Sequence, residues 1–255
     1  MAPIVYTGAL AALAVSFSGF ASAAAGQTAV LTGNEDFTIS NVGEGFLFGP
    51  TRRDAVDSRF QINGRNPDGA DRNFGLWAAF NLDLNGLFAG PIGGLESVTI
   101  DLFEAQPITG QDIDNIITGG TLNLYYTLED ADVLDAANGF DWIDSDPEGL
   151  GDQFADRVLV GSVDVVDGNS GASFDLDLAT IESSLVNEIN NDGFIRFVLT
   201  TPDMDTATSF GVGAPGTSTV LAFDGPAPTV SFVVPAPASA ALLGLGGLAA
   251  VRRRR

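Results

Sequence analysis

The densest group of oxygen-bearing side chains in this sequence is the acidic segment 141–152. Four of its carboxylates have the 1, 3, 5 and 9 spacing of a calcium-binding loop: Asp144, Asp146, Glu148 and Asp152. Gly149 takes position 6, but position 12 is Ala155 instead of a bidentate glutamate, and Pro147 interrupts the loop. The spacing therefore predicts a looser calcium site and not an EF-hand. A solvated acidic loop without a metal is the alternative.

Aromatic side chains are the candidates for stacking on sugar rings. Trp142 lies in the same loop between Asp141 and Asp144, which favours an exposed platform for a glycan. The alternative role for Trp142 is an anchor that packs the loop onto the domain. Three further aromatic residues are candidates, of which the first lies in an apolar run and is predicted to be core: Trp77, Tyr125 and Tyr126.

The residue types available for catalysis are few. The chain has no His, no Cys and no Lys, which excludes Ser-His-Asp triads, thiolate chemistry, Ser-Lys dyads and Schiff bases. Two carboxylates could act as acid and base in a glycoside hydrolase, but 33 acidic residues give no basis for choosing a pair. We therefore predict no catalytic residue and interpret the chain as non-enzymatic, with a carboxylate-based glycoside hydrolase as the least favoured alternative.

The charge of the chain is strongly asymmetric. The net charge is −22, and four of the eleven basic residues are the last four of the sequence, Arg252, Arg253, Arg254 and Arg255. The rest of the chain carries 33 acidic residues against seven arginines. Such a body is repelled by nucleic acid and by anionic lipid, and its natural partners are divalent cations, neutral glycans or basic surfaces.

The body of the sequence has an all-β pattern, with short alternating runs separated by Gly, Asn and Asp turns. Val98, Ile100 and Leu102, for example, alternate with more polar residues, which is typical of an antiparallel sheet with one buried face. Strands are predicted over 37–39, 74–82, 95–103, 121–128, 157–166, 172–176, 193–200 and 228–234. Segments 45–72 and 129–156 are predicted to be irregular. The regular spacing of the strands favours an antiparallel β-sandwich, similar to a jelly roll.

One short helix is predicted between Ala179 and Asn190. Apolar residues recur there at helical spacing (Leu178, Ile181, Leu185 and Ile189), and the turn residues 191–193 end the pattern.

The C-terminal residues have three parts. The motif Val234-Pro235-Ala236-Pro237-Ala238-Ser239 comes first, then an apolar run over 240–251, then the arginine cluster. This order resembles the PEP-CTERM sorting signal of Gram-negative bacteria, with Ala236 where that family usually has Glu. The resemblance implies a hydrophobic helix held transiently in the inner membrane, cleavage by an exosortase, and release to the cell surface or the extracellular space in an exopolysaccharide or biofilm context.

The N-terminal residues 1–25 are apolar and rich in Ala, and Ala21-Ser22-Ala23 has the pattern of a signal-peptidase site. We therefore expect a signal helix over 1–25, an exported β-domain over 26–233 and a sorting tail over 234–255.

A second resemblance covers about residues 70–234. Four segments follow one another in this region: Phe174-Asp175-Leu176, the predicted helix, the strand over 193–199 and the closing Pro228-Thr229-Val230-Ser231-Phe232. Their order resembles that of DNRLRE-type β-sandwich domains of exported bacterial proteins. This resemblance implies a jelly-roll fold and a role in binding polysaccharide. The sequence therefore predicts an exported, non-enzymatic surface or matrix protein. The alternative is a carbohydrate-binding module with a calcium-stabilised loop.

Overall fold

The computed structural model describes residues 26–33, 35–42, 44–45, 49–50, 59–64, 77–107, 119–128, 154, 156–166, 171–203, 205–213 and 223–236. These residues form fifteen β-strands and one α-helix, which confirms the predicted all-β class with a short helix. The strands are β1 (Gln27–Thr32), β2 (Phe37–Val42), β3 (Glu44–Gly45), β4 (Gly49–Pro50), β5 (Arg59–Asn63), β6 (Trp77–Asp83), β7 (Ser97–Phe103), β8 (Gln106–Pro107), β9 (Gly120–Thr127), β10 (Val158–Val165), β11 (Gly171–Asp175), β12 (Phe194–Thr200), β13 (Ala207–Gly211), β14 (Phe223–Asp224) and β15 (Thr229–Val234).

The strands are arranged in two main sheets and three small pairs. One sheet has five strands in the order β10-β9-β12-β6-β2, and the other has four in the order β1-β15-β7-β11. The small pairs are β13 with β5, β14 with β8, and β3 with β4. Every pair of named strands is antiparallel. All eight strands that the sequence pattern predicts are present.

Alternating side chains explain why these segments form strands. In β7, Val98, Ile100 and Leu102 are buried, while the residues between them are partly exposed. Leu122 and Leu124 are buried in the same alternating way in β9. Because successive residues of a strand point to opposite faces, each of these strands contributes one apolar row. The rows from both main sheets belong to one hydrophobic core cluster.

Aromatic rings connect the parts of this core. The ring of Phe60 in β5 lies 5.6 Å from Phe80 in β6 and 5.4 Å from Phe210 in β13, measured between centroids. Phe80 is also in edge contact with Phe37 in β2, at 6.0 Å. Edge-on and tilted arrangements at these distances are favourable beyond the area that the rings bury. The β5–β13 pair is thereby packed onto the five-stranded sheet.

The β5–β13 pair corrects the prediction that segment 45–72 is irregular. Phe60 and Ile62 face the core, but the alternate residues of β5 are polar and are buried too: Arg59, Gln61 and Asn63. Arg59 and Gln61 each donate a hydrogen bond to the Ser209 hydroxyl at 3.4 Å. A short strand with one polar row resembles a surface loop in sequence, because the partner strand that satisfies the polar row lies about 150 residues away.

The helix α1 (Glu182–Asn190) begins three residues later than predicted, and its predicted end is confirmed. Ile181, Leu185 and Ile189 are buried against the core. The helix is also tied to the loop before β7, since the Asn190 amide group exchanges two hydrogen bonds with the backbone of Ile92, at 2.7 and 3.0 Å. Asp192, with a positive φ of 52°, carries the chain out of the helix.

The strand β10, predicted over 157–166, is irregular at one point. A register shift between Leu159 and Gly161 is a β-bulge, where Val160 lies in the core and Leu159 is exposed. Beyond the bulge, Ser162 points outward. A side chain at position 161 would crowd the ring of Phe174 at 3.1 Å, so the close approach of the sheets favours glycine there.

Gln27–Pro235 forms one compact unit. The predicted signal helix over 1–25 and the predicted hydrophobic helix after the sorting motif lie outside the described residues. In the part of the chain that is described, no helix is both long enough and apolar enough to cross a membrane.

Candidate functional site

Most residues that the sequence singles out lie outside the described part of the chain. These are Trp142, the four predicted calcium ligands Asp144, Asp146, Glu148 and Asp152, the motif residues Pro237, Ala238 and Ser239, and the cluster Arg252 to Arg255. The first half of the motif is described. Val234 is the last residue of β15 and is partly buried, whereas Pro235 and Ala236 follow it and are exposed.

Acidic side chains in the described ranges do not gather into groups of three or more that could hold a metal ion. Asp203 is exposed, and its carboxylate accepts a hydrogen bond from the backbone N–H of Thr121 at 2.6 Å. This carboxylate thus ties the start of β9 to the turn before β13.

The aromatic candidates separate clearly by burial. Trp77 is fully buried and packs edge-on against Phe154 at 5.4 Å, which confirms the prediction that it is core. Tyr126 is buried as well, and its hydroxyl lies 3.0 Å from the Ser184 hydroxyl. Burial raises the pKa of Tyr126 above its ordinary value of 10, although the bond to Ser184 acts in the opposite direction. Tyr125, on the opposite face of β9, is half-exposed.

The central strand β12 determines how the five-stranded sheet presents its two faces. Ile195, Phe197 and Leu199 point into the core, so Arg196 and Val198 point to the opposite side, which we call the outer face. Arg196 is nevertheless only 6% exposed and Val198 is fully buried. The centre of the outer face is therefore covered, even though such a face is often solvated in antiparallel sheets.

The guanidinium of Arg196 is the centre of the covered region. Its Nε donates a 2.5 Å hydrogen bond to the Asn81 Oδ1 on neighbouring β6, and its charge lies 5.6 Å from the ring of Phe194 and 6.0 Å from that of Phe154. These four residues form the Arg196 cluster. A buried cation needs hydrogen bonds and polarisable neighbours to offset the loss of its hydration. The cluster supplies both.

The carboxylate of Asp156 holds the covering segment in place. It accepts hydrogen bonds from the Thr127 hydroxyl and from the backbone N–H of Leu128, the latter at 3.0 Å. Thr127 lies directly opposite Arg196 in the sheet, so this anchor lies beside the Arg196 cluster. The result is that Phe154, two residues before Asp156, is fixed over Trp77 and Arg196.

Towards the β10 edge, the outer face becomes accessible. Arg157 lies over the ring of Tyr125 at 5.8 Å, the Ser162 hydroxyl donates to Asn123 at 2.8 Å, and the Thr121 hydroxyl donates to Asp164 at 2.9 Å. We call these six residues the Tyr125 strip. It offers one aromatic ring, one cation and a row of hydroxyl, amide and carboxylate groups along two strands. Such a surface can stack on and hydrogen-bond to a polar ligand.

Sequence reasoning did not identify Arg196, Asn81 or Asp156. One signal was present, because Arg196 is the single charged residue in the otherwise apolar segment 194–199. A charge within a strand that is apolar on both faces indicates a buried, partnered cation. No comparable signal marks Asp156, since its partner Thr127 lies in β9, 29 residues earlier in the sequence.

Comparisons with known proteins give no family assignment. No protein-family model matches the chain, and no curated protein is detectably similar to it.

The Arg196–Asn81 bond can be tested through stability. Substituting Asn81→Ala removes the acceptor of a buried charged donor, so the free energy of unfolding should fall by about 1.5–3 kcal/mol in urea denaturation. Arg196→Met removes the charge itself, and the double variant should lose clearly less than the sum of the two single losses. Ser162→Ala is the matched control, because it removes an exposed bond on the same face and should cost about 0.5 kcal/mol or less. If the losses in free energy of unfolding of Asn81→Ala and Arg196→Met were strictly additive, the two side chains would not be coupled and the account of this bond would be contradicted.

Proposed function

We propose that this protein is an exported, non-enzymatic surface or extracellular-matrix protein whose C-terminal residues are an exosortase sorting signal. The observation that carries the proposal is the pairing of the first and last strands, in which Gln27 lies opposite Val234. The predicted signal-peptidase site at 21–23 precedes this pair, and the motif continues beyond it into the exposed Pro235 and Ala236. Cleavage before Gln27 and after Val234 would remove no residue of any described strand.

The charge distribution supports the same proposal. Arginines beside a membrane segment are retained on the cytoplasmic side, so Arg252 to Arg255 would hold the tail in the inner membrane until cleavage. The released body, with 33 acidic residues and seven arginines, would be highly soluble. An exopolysaccharide context follows from the PEP-CTERM resemblance alone.

In this proposal the two main sheets form a jelly-roll-like β-sandwich that serves as a stable extracellular module. Both sheets contribute their buried rows to one core cluster, which supports a face-to-face arrangement. The non-enzymatic role is supported by the composition, which lacks His, Cys and Lys.

The sorting signal can be tested by replacing Arg252 to Arg255 with Gln in a Gram-negative host that encodes an exosortase. The expected result is loss of C-terminal processing, measured as the intact mass of the released protein. Replacement of the same four residues with Lys is the matched control and should preserve processing, because it keeps the charge. A released wild-type protein whose mass still includes the four arginines would exclude the proposal.

A second candidate function is carbohydrate binding, and the Tyr125 strip favours it. The strip combines a half-exposed ring with polar groups on both sides, whereas Trp77 and Tyr126 are buried. In this candidate the predicted loop of Asp144, Asp146, Glu148 and Asp152 would bind calcium, and the ion would stabilise that loop.

Glycan binding can be measured on a glycan array and then by calorimetry. If the strip binds sugar, Tyr125→Ala should weaken binding at least tenfold, because the ring supplies the stacking surface. Tyr125→Phe keeps the ring and should retain most of the affinity, and Tyr126→Phe changes a buried neighbour and should leave it unaltered. Absence of saturable binding to any glycan, or equal binding by Tyr125→Ala, would reject this candidate and leave the structural role.

A further inference from the structure

The strand β1 forms one edge of the four-stranded sheet, where it pairs with β15 alone among the described strands. Gly33 donates its backbone N–H to the Pro228 carbonyl at 2.8 Å, which makes these two residues a hydrogen-bonded pair. Because hydrogen-bonded pairs alternate along an antiparallel ladder, Ala29 and Leu31 also point their backbone groups towards β15. The backbone groups of Thr28 and Val30 therefore point away from the sheet.

These outward groups have no partner in the described part of the chain. The next outward residue, Thr32, is different, since its N–H donates to the Asp36 carboxylate and its carbonyl accepts from the Asp36 N–H, both at 2.8 Å. The open section of the edge is thus limited to Thr28 and Val30. Both side chains are exposed, and Val30 keeps 53% of its surface accessible.

Open sheet edges are normally protected by charges, prolines, bulges or a covering segment. The two edges formed by β10 and β11 follow this rule, because they carry Asp164 and Asp175, β10 has a bulge, and a backbone bond from Asp177 to Val160 joins the two sheets there. β1 has no charged residue, proline or bulge, and its sequence is Gln-Thr-Ala-Val-Leu-Thr. Since no described segment covers it either, an edge of this kind is a template for pairing with another β-strand.

We propose that this edge pairs with β1 of a second copy of the chain, in antiparallel orientation around a two-fold axis. Two copies that each carry a net charge of −22 repel one another over most of their surface, but at β1 no carboxylate faces another. The four-stranded sheets of the two copies then join into one continuous sheet of eight strands. Residues with high β-propensity, Thr28 and Val30, meet across the junction.

The backbone groups fix the register of this pairing. All the outward groups of Thr28 and Val30 are paired with one another only when Thr28 of one copy lies opposite Val30 of the other. The two-fold axis then passes between the two Ala29 residues. Thr28 and Val30 then exchange four backbone hydrogen bonds between the copies, while the two Ala29 residues form a non-hydrogen-bonded pair with Cα atoms about 4.5 Å apart. Pairing along one short strand gives a small interface, so the association is weak and concentration-dependent.

A single cysteine tests this register directly, since the chain contains no cysteine of its own. Ala29→Cys in the full chain places two cysteines opposite each other, with a Cα–Cα separation that a disulfide allows. Oxidation should therefore give a covalent dimer on a non-reducing gel. Thr28→Cys is the matched control. In the proposed register the two copies of position 28 are offset by two residues, about 7 Å along the strands, which is too far for a bridge.

Sedimentation velocity of the full chain gives an independent readout. Val30→Asp adds a carboxylate to both sides of the junction and should weaken dimerisation at least tenfold, whereas Leu159→Asp makes the same change at a residue of similar exposure on β10 and should leave it unchanged. The proposal would be overturned if both variants formed dimers equally well, or if sedimentation of the unaltered chain did not depend on concentration. It would also be overturned if Thr28→Cys cross-linked as fast as Ala29→Cys.

Discussion

Burial of strand β12 on both faces is the constraint on which the rest of the structure depends. One face contributes Ile195, Phe197 and Leu199 to the core that both main sheets share. The other face is covered as well, and it contains a cation, Arg196. A charged group cannot remain in such a place without partners, so the strands and segments around β12 are arranged to supply them.

The accessibility of the candidate surface follows from this arrangement. Phe154 covers the middle of the outer face, and the Asp156 carboxylate fastens that cover to β9. The side of the face towards β10 stays accessible, which is why Tyr125 is partly exposed while Trp77 is not. Thr38 on β2, at the other side of the face, is exposed as well. The last strand in the sequence, β15, lies between β7 and β1 in the four-stranded sheet. The proposed sorting motif begins at its last residue, Val234.

Much of the fold could be predicted from local patterns, and the rest depends on distant partners. Alternation in β7 and helical spacing in α1 are properties of single segments, so both elements were predictable. The polar row of β5 is buried only because Ser209 and its neighbours lie against it, and no feature of segment 59–63 contains that information. The same holds for the candidate site, since the environment of Arg196 is assembled from β6, β12 and the segment before β10.

Amide hydrogen exchange of the dilute full chain tests the central role of β12 most directly. Every backbone N–H of a strand that pairs on both sides and is covered on both faces should open only with global unfolding. We therefore expect residues 195–199 to exchange in the slowest group, and Thr28 and Val30, whose N–H groups point out of the sheet edge, to exchange orders of magnitude faster. Exchange of residues 195–199 at the rate of Thr28 and Val30 would contradict the account.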